Sequence, residues 1–274
     1  MSGLRRLLAL LAAALCASAL AAPAAHAVIS VYPDSMAATG ASGTRAALTC
    51  DVRDCSANSW ATGTNPTVNS IYLRLAALNP DLTGNAFNDA VGGENMSDLR
   101  DQFEVVIPRN VEFVIVDMGG NDVCAREEGE VTSLASFRAD FEDAMDLLVE
   151  RRPNTRIAVV SIPSLFRLWE VLWTDTAAVR HWEETNTCQS MLENAASFTR
   201  ADVERRARVD AAEADLNDAL GLVCATYRHC RYDGGAGYAY AFEDDDVSTR
   251  DFFHPSLQGQ TTAAAAMWEL PWEF

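Results

Sequence analysis

The sequence contains no lysine; all 21 of its basic residues are arginine. That excludes Schiff-base and other lysine-centred chemistry. Positive charge is scarce against 39 acidic residues, and the formal net charge is −18. So acidic a chain is a poor partner for nucleic acid or for an anionic membrane surface. The excess acid reads as a solubilising surface. Histidine is rare, and His181 and His229 stand isolated from other candidate ligands. No C-x-x-C pair occurs, which with the scattered histidines argues against zinc. There is no internal repeat, low-complexity linker or second apolar core. The apolar run Leu7 to Leu20 is shorter than a membrane-spanning helix, which needs roughly 20 residues.

That run belongs instead to a leader. Arg5-Arg6 give it a basic start, and Ala25-His26-Ala27 fits a small-x-small cleavage site. Residues 1–27 are therefore expected to be a secretory signal peptide, with the mature chain from Val28 secreted to the extracellular space. The remaining 247 residues, 28–274, suit one α/β domain with a net charge of −20. Cys16 lies in the leader, which leaves Cys50, Cys55, Cys124, Cys188, Cys224 and Cys230. An even number in an exported chain predicts disulfides. Short loops favour Cys50–Cys55 and Cys224–Cys230, leaving Cys124 for Cys188.

Short apolar segments alternate with helical stretches, which predicts a parallel sheet with helices on both faces. Strands are expected at Ser35–Thr39, Ala86–Ala90, Phe113–Met118 and Ile157–Ser161. Leu134, Phe137, Phe141, Met145 and Leu148 recur at helical spacing from about Ser133 to Arg151, and Pro153 stops the helix. A second long helix is expected from Arg200 to about Leu220, its charges forming a solvated face. Leu165–Trp173 reads as ordinary packing, with a substrate cleft as the alternative. Asp244–Asp246 reads as a solvated acidic loop.

Two motifs carry chemistry. Gly119-Gly120-Asn121-Asp122 follows the third strand, so a Cβ-free turn holds an Asn amide at the carboxyl edge, where open α/β sheets bind ligands. Such an amide can donate to a developing oxyanion. Asp251-Phe252-Phe253-His254-Pro255 presents an acid three residues before a histidine. With these two blocks the chain resembles the SGNH (GDSL-type) hydrolases, in which Gly-x-Asn-Asp and Asp-x-x-His are two of four signature pieces. The resemblance implies a three-layer α/β/α sandwich with a central parallel sheet, the flavodoxin-like SGNH hydrolase fold. It also implies a Gly-Asp-Ser nucleophile block and a lone oxyanion-hole glycine.

Two serines compete for the nucleophile. Ser35, in Pro33-Asp34-Ser35, copies Gly-Asp-Ser superficially, but Pro33 fixes φ and lacks an N–H. Ser42 follows an expected strand and a glycine, and Arg45–Leu48 after it can open a helix. The family pattern Gly-Asp-Ser-x-Thr-Arg fits Gly40, Ser42, Thr44 and Arg45 and departs at Ala41. Ser42 is the expected nucleophile. The resemblance assigns His254 as general base and Asp251 as its orienting acid. The Ser42 N–H, the Gly93 N–H and the Asn121 side chain would form the oxyanion hole, with Gly92 the near alternative to Gly93.

Asn58–Gly63, Gly120–Cys124 and Phe253–Ser256 followed by Gly259 are similar to the phospholipase B-like branch, which implies lipid or phospholipid esters. The expectation is a serine esterase or lipase that needs no cofactor and no metal, acts as a monomer and does not insert stably in membranes. The alternatives are a carbohydrate acetylesterase and a non-catalytic binding protein on the same fold.

Overall fold

The computed structural model describes residues 32–270 and Trp272. The expected signal peptide, residues 1–27, lies outside them.

Five parallel strands form one sheet in the order β2-β1-β3-β4-β5. Strand β1 is Met36–Gly40, β2 Ala86–Asn88, β3 Phe113–Asp117, β4 Arg156–Val159 and β5 Cys230–Tyr232. The sequence pattern anticipates the first four to within two residues at each end and misses β5. That strand spans three residues and carries no apolar run.

Ten helices connect or flank the strands among the described residues. They are α1 Ile71–Leu78, α2 Leu99–Val106, α3 Gly120–Val123, α4 Leu134–Arg151, α5 Leu165–Leu172, α6 Thr176–Thr185, α7 Gln189–Leu192, α8 Arg200–Cys224, α9 Ala236–Ala239 and α10 Leu257–Trp268. None is long and apolar enough to cross a membrane.

Alternation along the strands divides the interior into two layers, as a two-residue repeat must. Ala37, Val114, Val116, Ile157 and Val159 face the larger core, with Phe103 of α2, Phe141 and Leu148 of α4 and Leu220 of α8. Met36, Ala38, Phe113, Ile115 and Ala158 face the smaller core, with Ile71 and Leu75 of α1 and Ala264 and Met267 of α10. Helices on both faces give the expected α/β/α sandwich.

Helix α4 forms as its spacing predicts. The Ser133 side chain caps it, and Phe137, Phe141, Met145 and Leu148 are wholly buried. Helix α8 has the expected solvated face, with Arg200, Glu204, Arg208, Asp215 and Asp218 exposed, but Asp202, Arg205, Arg206 and Glu213 are buried on its other side. Arg206 donates to the Ser197 carbonyl at 2.6 Å and stacks its guanidinium 4.4 Å over the Trp169 ring. Glu213 accepts the Leu165 N–H at 3.1 Å and so caps α5, and burial raises its carboxyl well above the usual range.

Two of the three expected disulfides are present, Cys50–Cys55 and Cys224–Cys230. The third is a correction: Cys124 and Cys188 are free thiols. They meet in the interior, where the hydrogen bond with Cys188 and then burial push the Cys124 thiol well above its ordinary range. The thiolate, the species that forms disulfides, is disfavoured there.

Candidate active site

The strand order reverses direction between β1 and β3, and open sheets bind ligands in the crevice beyond such a switch point. The chain leaving β1 carries Ser42, and the chain leaving β3 carries Asn121. Gly40 ends β1 with φ +143°, and a Cβ there would stand 2.2 Å from the Asp117 carbonyl oxygen. Only glycine lets the two strand exits approach this closely.

After Ser42 the chain makes a series of turns in place of the expected helix. Ala46 and Leu48 take positive φ, which breaks helical continuity, and the Leu48 N–H donates to the Arg53 carbonyl at 2.8 Å across the Cys50–Cys55 loop. The turn is fixed from below. The Gln102 side chain accepts the Gly40 N–H at 2.8 Å and donates to the Gly40 carbonyl at 2.8 Å. Thr44 Oγ1 and Trp60 Nε1 both donate to Asp117 Oδ2, at 2.8 Å and 3.3 Å. Gln260 of α10 accepts the Trp60 N–H and donates to the Gly43 carbonyl. None of these supports is legible in the sequence, because each joins segments far apart in the chain. Burial pushes the Asp117 carboxyl above its ordinary range, against the pull of its Thr44 and Trp60 bonds.

His254 bridges the two ends of the chain. Its Nε2 lies 2.7 Å from Ser42 Oγ, and its Nδ1 lies 2.5 Å from Asp251 Oδ2. Asp251 Oδ1 accepts the Phe253 and His254 N–H groups, each at 3.2 Å. Burial alone would raise the Asp251 carboxyl, but the bond and charge of His254 and the two backbone donors hold it below the usual value. Phe252, between acid and base, has φ 55 degrees, a left-handed conformation rare for a bulky residue. Trp182 Nε1 steadies it by donating to its carbonyl at 2.9 Å. The competing Ser35 sits before β1, at the amino edge, where its hydroxyl accepts the Glu112 N–H.

The Val91–Glu94 turn has Gly93 in the left-handed region and closes with a Glu94 N–H to Val91 carbonyl bond of 3.3 Å. Neither the Gly92 nor the Gly93 N–H meets an acceptor among the described residues. A Cβ on Gly92 would stand 3.7 Å from Ser42 Cβ, so this turn lies beside the serine. Asn121 Nδ2 donates to the Glu94 carbonyl at 2.6 Å, which leaves its second N–H for another acceptor. Glu94 in turn accepts from Gln102 at 2.5 Å, so one buried amide links the serine turn to the glycine turn.

The segment Leu165–Trp173 serves both of its readings. Leu165 and Leu168 line the cleft above Ser42, while Trp169 and Trp173 stack away from it with Phe198. In the acidic run Asp244 and Asp245 are exposed as expected, and Asp246 is half-buried. Asp246 lines the cleft and accepts from Thr262 Oγ1 at 2.9 Å.

The arrangement can deprotonate a serine and hold an oxyanion beside it, the requirements of acyl transfer. A family model described as "GDSL-like Lipase/Acylhydrolase family" matches residues 34–261. Among solved structures, the chain is similar to a protein described as a GDSL-like lipase from Parabacteroides merdae, at 15% identity and a TM-score of 0.56 over 87% of this chain and 95% of that one. It is similar to phospholipase A1 from Streptomyces albidoflavus at 15% identity, TM-score 0.55, over 86% and 98%. It is also similar to an acetyl-xylooligosaccharide esterase from Geobacillus at 14% identity, TM-score 0.53, over 85% and 91%. Likenesses this distant bear on the fold alone. No curated protein sequence matches the chain.

Asp122, next to Asn121, ties two of the site's loops. It is 1% exposed, Oδ2 accepts the Met96 N–H at 2.9 Å, and Oδ1 is buried without a partner among the described residues. Burial raises its carboxyl from 3.8 to about 6 against the Met96 bond and the lowering effect of the nearby Thr132 hydroxyl, with Asp140 and Asp98 adding to the rise. Between these two values the folded protein holds a proton that the unfolded chain has lost. Its stabilising share is full below 3.8 and is lost as pH rises through about 6. Asp122→Asn cannot ionise. Its stability relative to wild type should therefore grow from pH 4 to pH 7.5, by about 3 kcal/mol at most. Urea denaturation at both pH values measures it; an equal difference at both would contradict the assignment.

Proposed function

The chain belongs to the GDSL-like lipase/acylhydrolase family of carboxylic-ester hydrolases, and we propose that it works as a secreted serine esterase through a Ser42 acyl-enzyme. The observation that carries this reading is His254, within hydrogen-bond reach of Ser42 on one side and Asp251 on the other.

Ser42 Oγ attacks the ester carbonyl carbon while His254 Nε2 takes its proton. The carbonyl electrons move onto oxygen, where the Ser42 N–H, the Gly93 N–H and the free Asn121 N–H meet the charge. Preorganised donors of this kind need no rearrangement as charge develops. The oxyanion collapses, the ester C–O bond breaks, and His254 returns the proton to the departing alcohol. Water then attacks the acyl-enzyme by the same route, releasing the acid and restoring Ser42. Asp251, held ionised by its donors, keeps the imidazole oriented and stabilises its cation.

The absent carboxyl at Ala41 does not favour the non-catalytic reading, since Asp117 supplies a carboxyl to the same turn through Thr44. Between lipid esters and sugar acetates, the apolar cleft favours lipid esters. Trp60, in the run that resembles the phospholipase B-like branch, forms part of its wall. Export rests on the leader motif in residues 1–27 and agrees with the two disulfides.

Ser42→Ala should lower kcat on p-nitrophenyl esters by at least ~10³-fold. Ser35→Ala should stay within about twofold, because Ser35 lies at the other sheet edge. The opposite ranking would reverse the assignment. Asn121→Ala should lower kcat by roughly a hundredfold with a smaller change in KM, as for a donor used in the transition state. A rise in KM alone would move Asn121 to substrate binding.

A further inference from the structure

The stretch that carries Ser42 makes one helix-like turn without a cap. The Arg45 N–H donates to the Ala41 carbonyl at 3.2 Å, and the Ala47 N–H donates to the Ser42 carbonyl at 3.0 Å. The leading Gly43 and Thr44 N–H groups meet no acceptor among the described residues. An acid at position 41 would stand where a capping side chain accepts such N–H groups, and alanine has nothing to offer them. Position 41 is also where the chain departs from the Gly-Asp-Ser pattern.

A carboxyl reaches this turn from the neighbouring strand instead. Asp117 ends β3 beside Gly40 in the parallel ladder. Thr44 folds back over Gly40, where a Cβ would stand 2.4 Å from Thr44 Oγ1. Thr44 is wholly buried, and its hydroxyl donates to Asp117 Oδ2 at 2.8 Å. Asn88 Nδ2 donates to the Thr44 carbonyl at 2.9 Å. Thr44 is thus held by side chain and main chain, two residues after the nucleophile. The Trp60 bond to the same Oδ2 fixes the carboxyl in turn.

The charged group that acts on Asp117 is another acid, Asp233. The brace therefore works as a hydrogen-bond acceptor and not as half of an ion pair. Without it the Thr44 hydroxyl would be a buried donor with no partner. Asp117 also lies four residues before Asn121, so one residue stands at the root of both the nucleophile turn and the oxyanion turn.

Resting on the serine-esterase reading above, we propose that Asp117 is the positioning residue of the nucleophile. Through Thr44 it holds the Ser42 turn from β3, in place of the acid missing at position 41. Proton transfer stays with His254 and Asp251. Asp117 sets where Ser42 Oγ lies relative to His254 Nε2 and the oxyanion donors. A misplacement of about 1 Å there costs on the order of a hundredfold in rate.

The test is steady-state kinetics on p-nitrophenyl acetate, with the rate of alkyl fluorophosphonate inactivation measured beside it. Asp117→Ala should lower kcat by about tenfold to a hundredfold, keep KM within about twofold, and slow inactivation in parallel. Asp117→Asn keeps an acceptor oxygen and should recover most of that loss. Thr44→Val should reproduce the loss, and the double variant should fall no more than about twofold further, because both changes break one bond. Thr44→Val also serves if Asp117→Ala does not fold. Ala41→Asp placed in Asp117→Ala should restore kcat by about fivefold or more. An unchanged kcat, a change in KM alone, or additive losses would overturn the positioning role. No recovery with Ala41→Asp would overturn the replacement of the missing acid. Ser42→Ala separates the two levels. Turnover that survives it defeats the serine mechanism itself, whereas lost turnover beside a fully active Asp117→Ala defeats only the brace.

Discussion

The site depends on how the sheet ends. Where a parallel strand leaves its ladder, its last N–H and C=O lose their partners, and a buried main-chain group left unpaired is costly. Here side-chain amides take over. Gln102 accepts from and donates to Gly40 at the exit of β1. Asn217 does the same for Ile162 beyond β4, at 2.7 Å and 3.2 Å. Asp233 accepts the Ser161 N–H at 3.0 Å. These clamps turn strand exits into fixed points, so the residues one or two positions beyond them have defined directions. Ser42 is two residues past such a point.

From Gly40 the fixed geometry spreads to the other parts of the site. Gln102 reaches Glu94, whose carbonyl orients Asn121, and Asp122 accepts from Met96 on the same loop. On the far side Gln260 couples α10 to Trp60 and Gly43, so the helix that follows His254 is pinned to the serine turn. The groups that would hold the oxyanion and those that would move the proton are thus parts of one buried polar network. A network of that kind rigidifies when its members are satisfied. The unpartnered Oδ1 of Asp122 is its exception, and it coincides with the raised carboxyl.

The parts legible in the sequence are those whose meaning is local. Gly119–Asp122 and Asp251–His254 hold their geometry within four residues, and the α4 spacing needs only one helix. The apolar runs of β1, β3 and β4 mark the buried strands of the sheet. Less legible is whatever depends on distant partners. Gln102, Asp117 and Gln260 look like ordinary polar residues until the fold brings them to Gly40, Thr44 and Gly43. The expected helix after Ser42 fails because Ala46 and Leu48 adopt positive φ with no glycine to announce it. The buried charges of α8, such as Arg206 and Glu213, look like part of its solvated face because their partners, Ser197, Trp169 and Leu165, lie on other segments. Elimination pairs Cys124 with Cys188, and the two do meet, but as thiols.

The central claim is that one serine, Ser42, is made nucleophilic by His254 and is acylated during turnover. The most direct measurement is peptide mapping by mass spectrometry after reaction with an alkyl fluorophosphonate. The account predicts one adduct, on Ser42, formed in step with the loss of ester turnover and absent from His254→Ala. An adduct on Ser35, or full turnover with no adduct on Ser42, would contradict it.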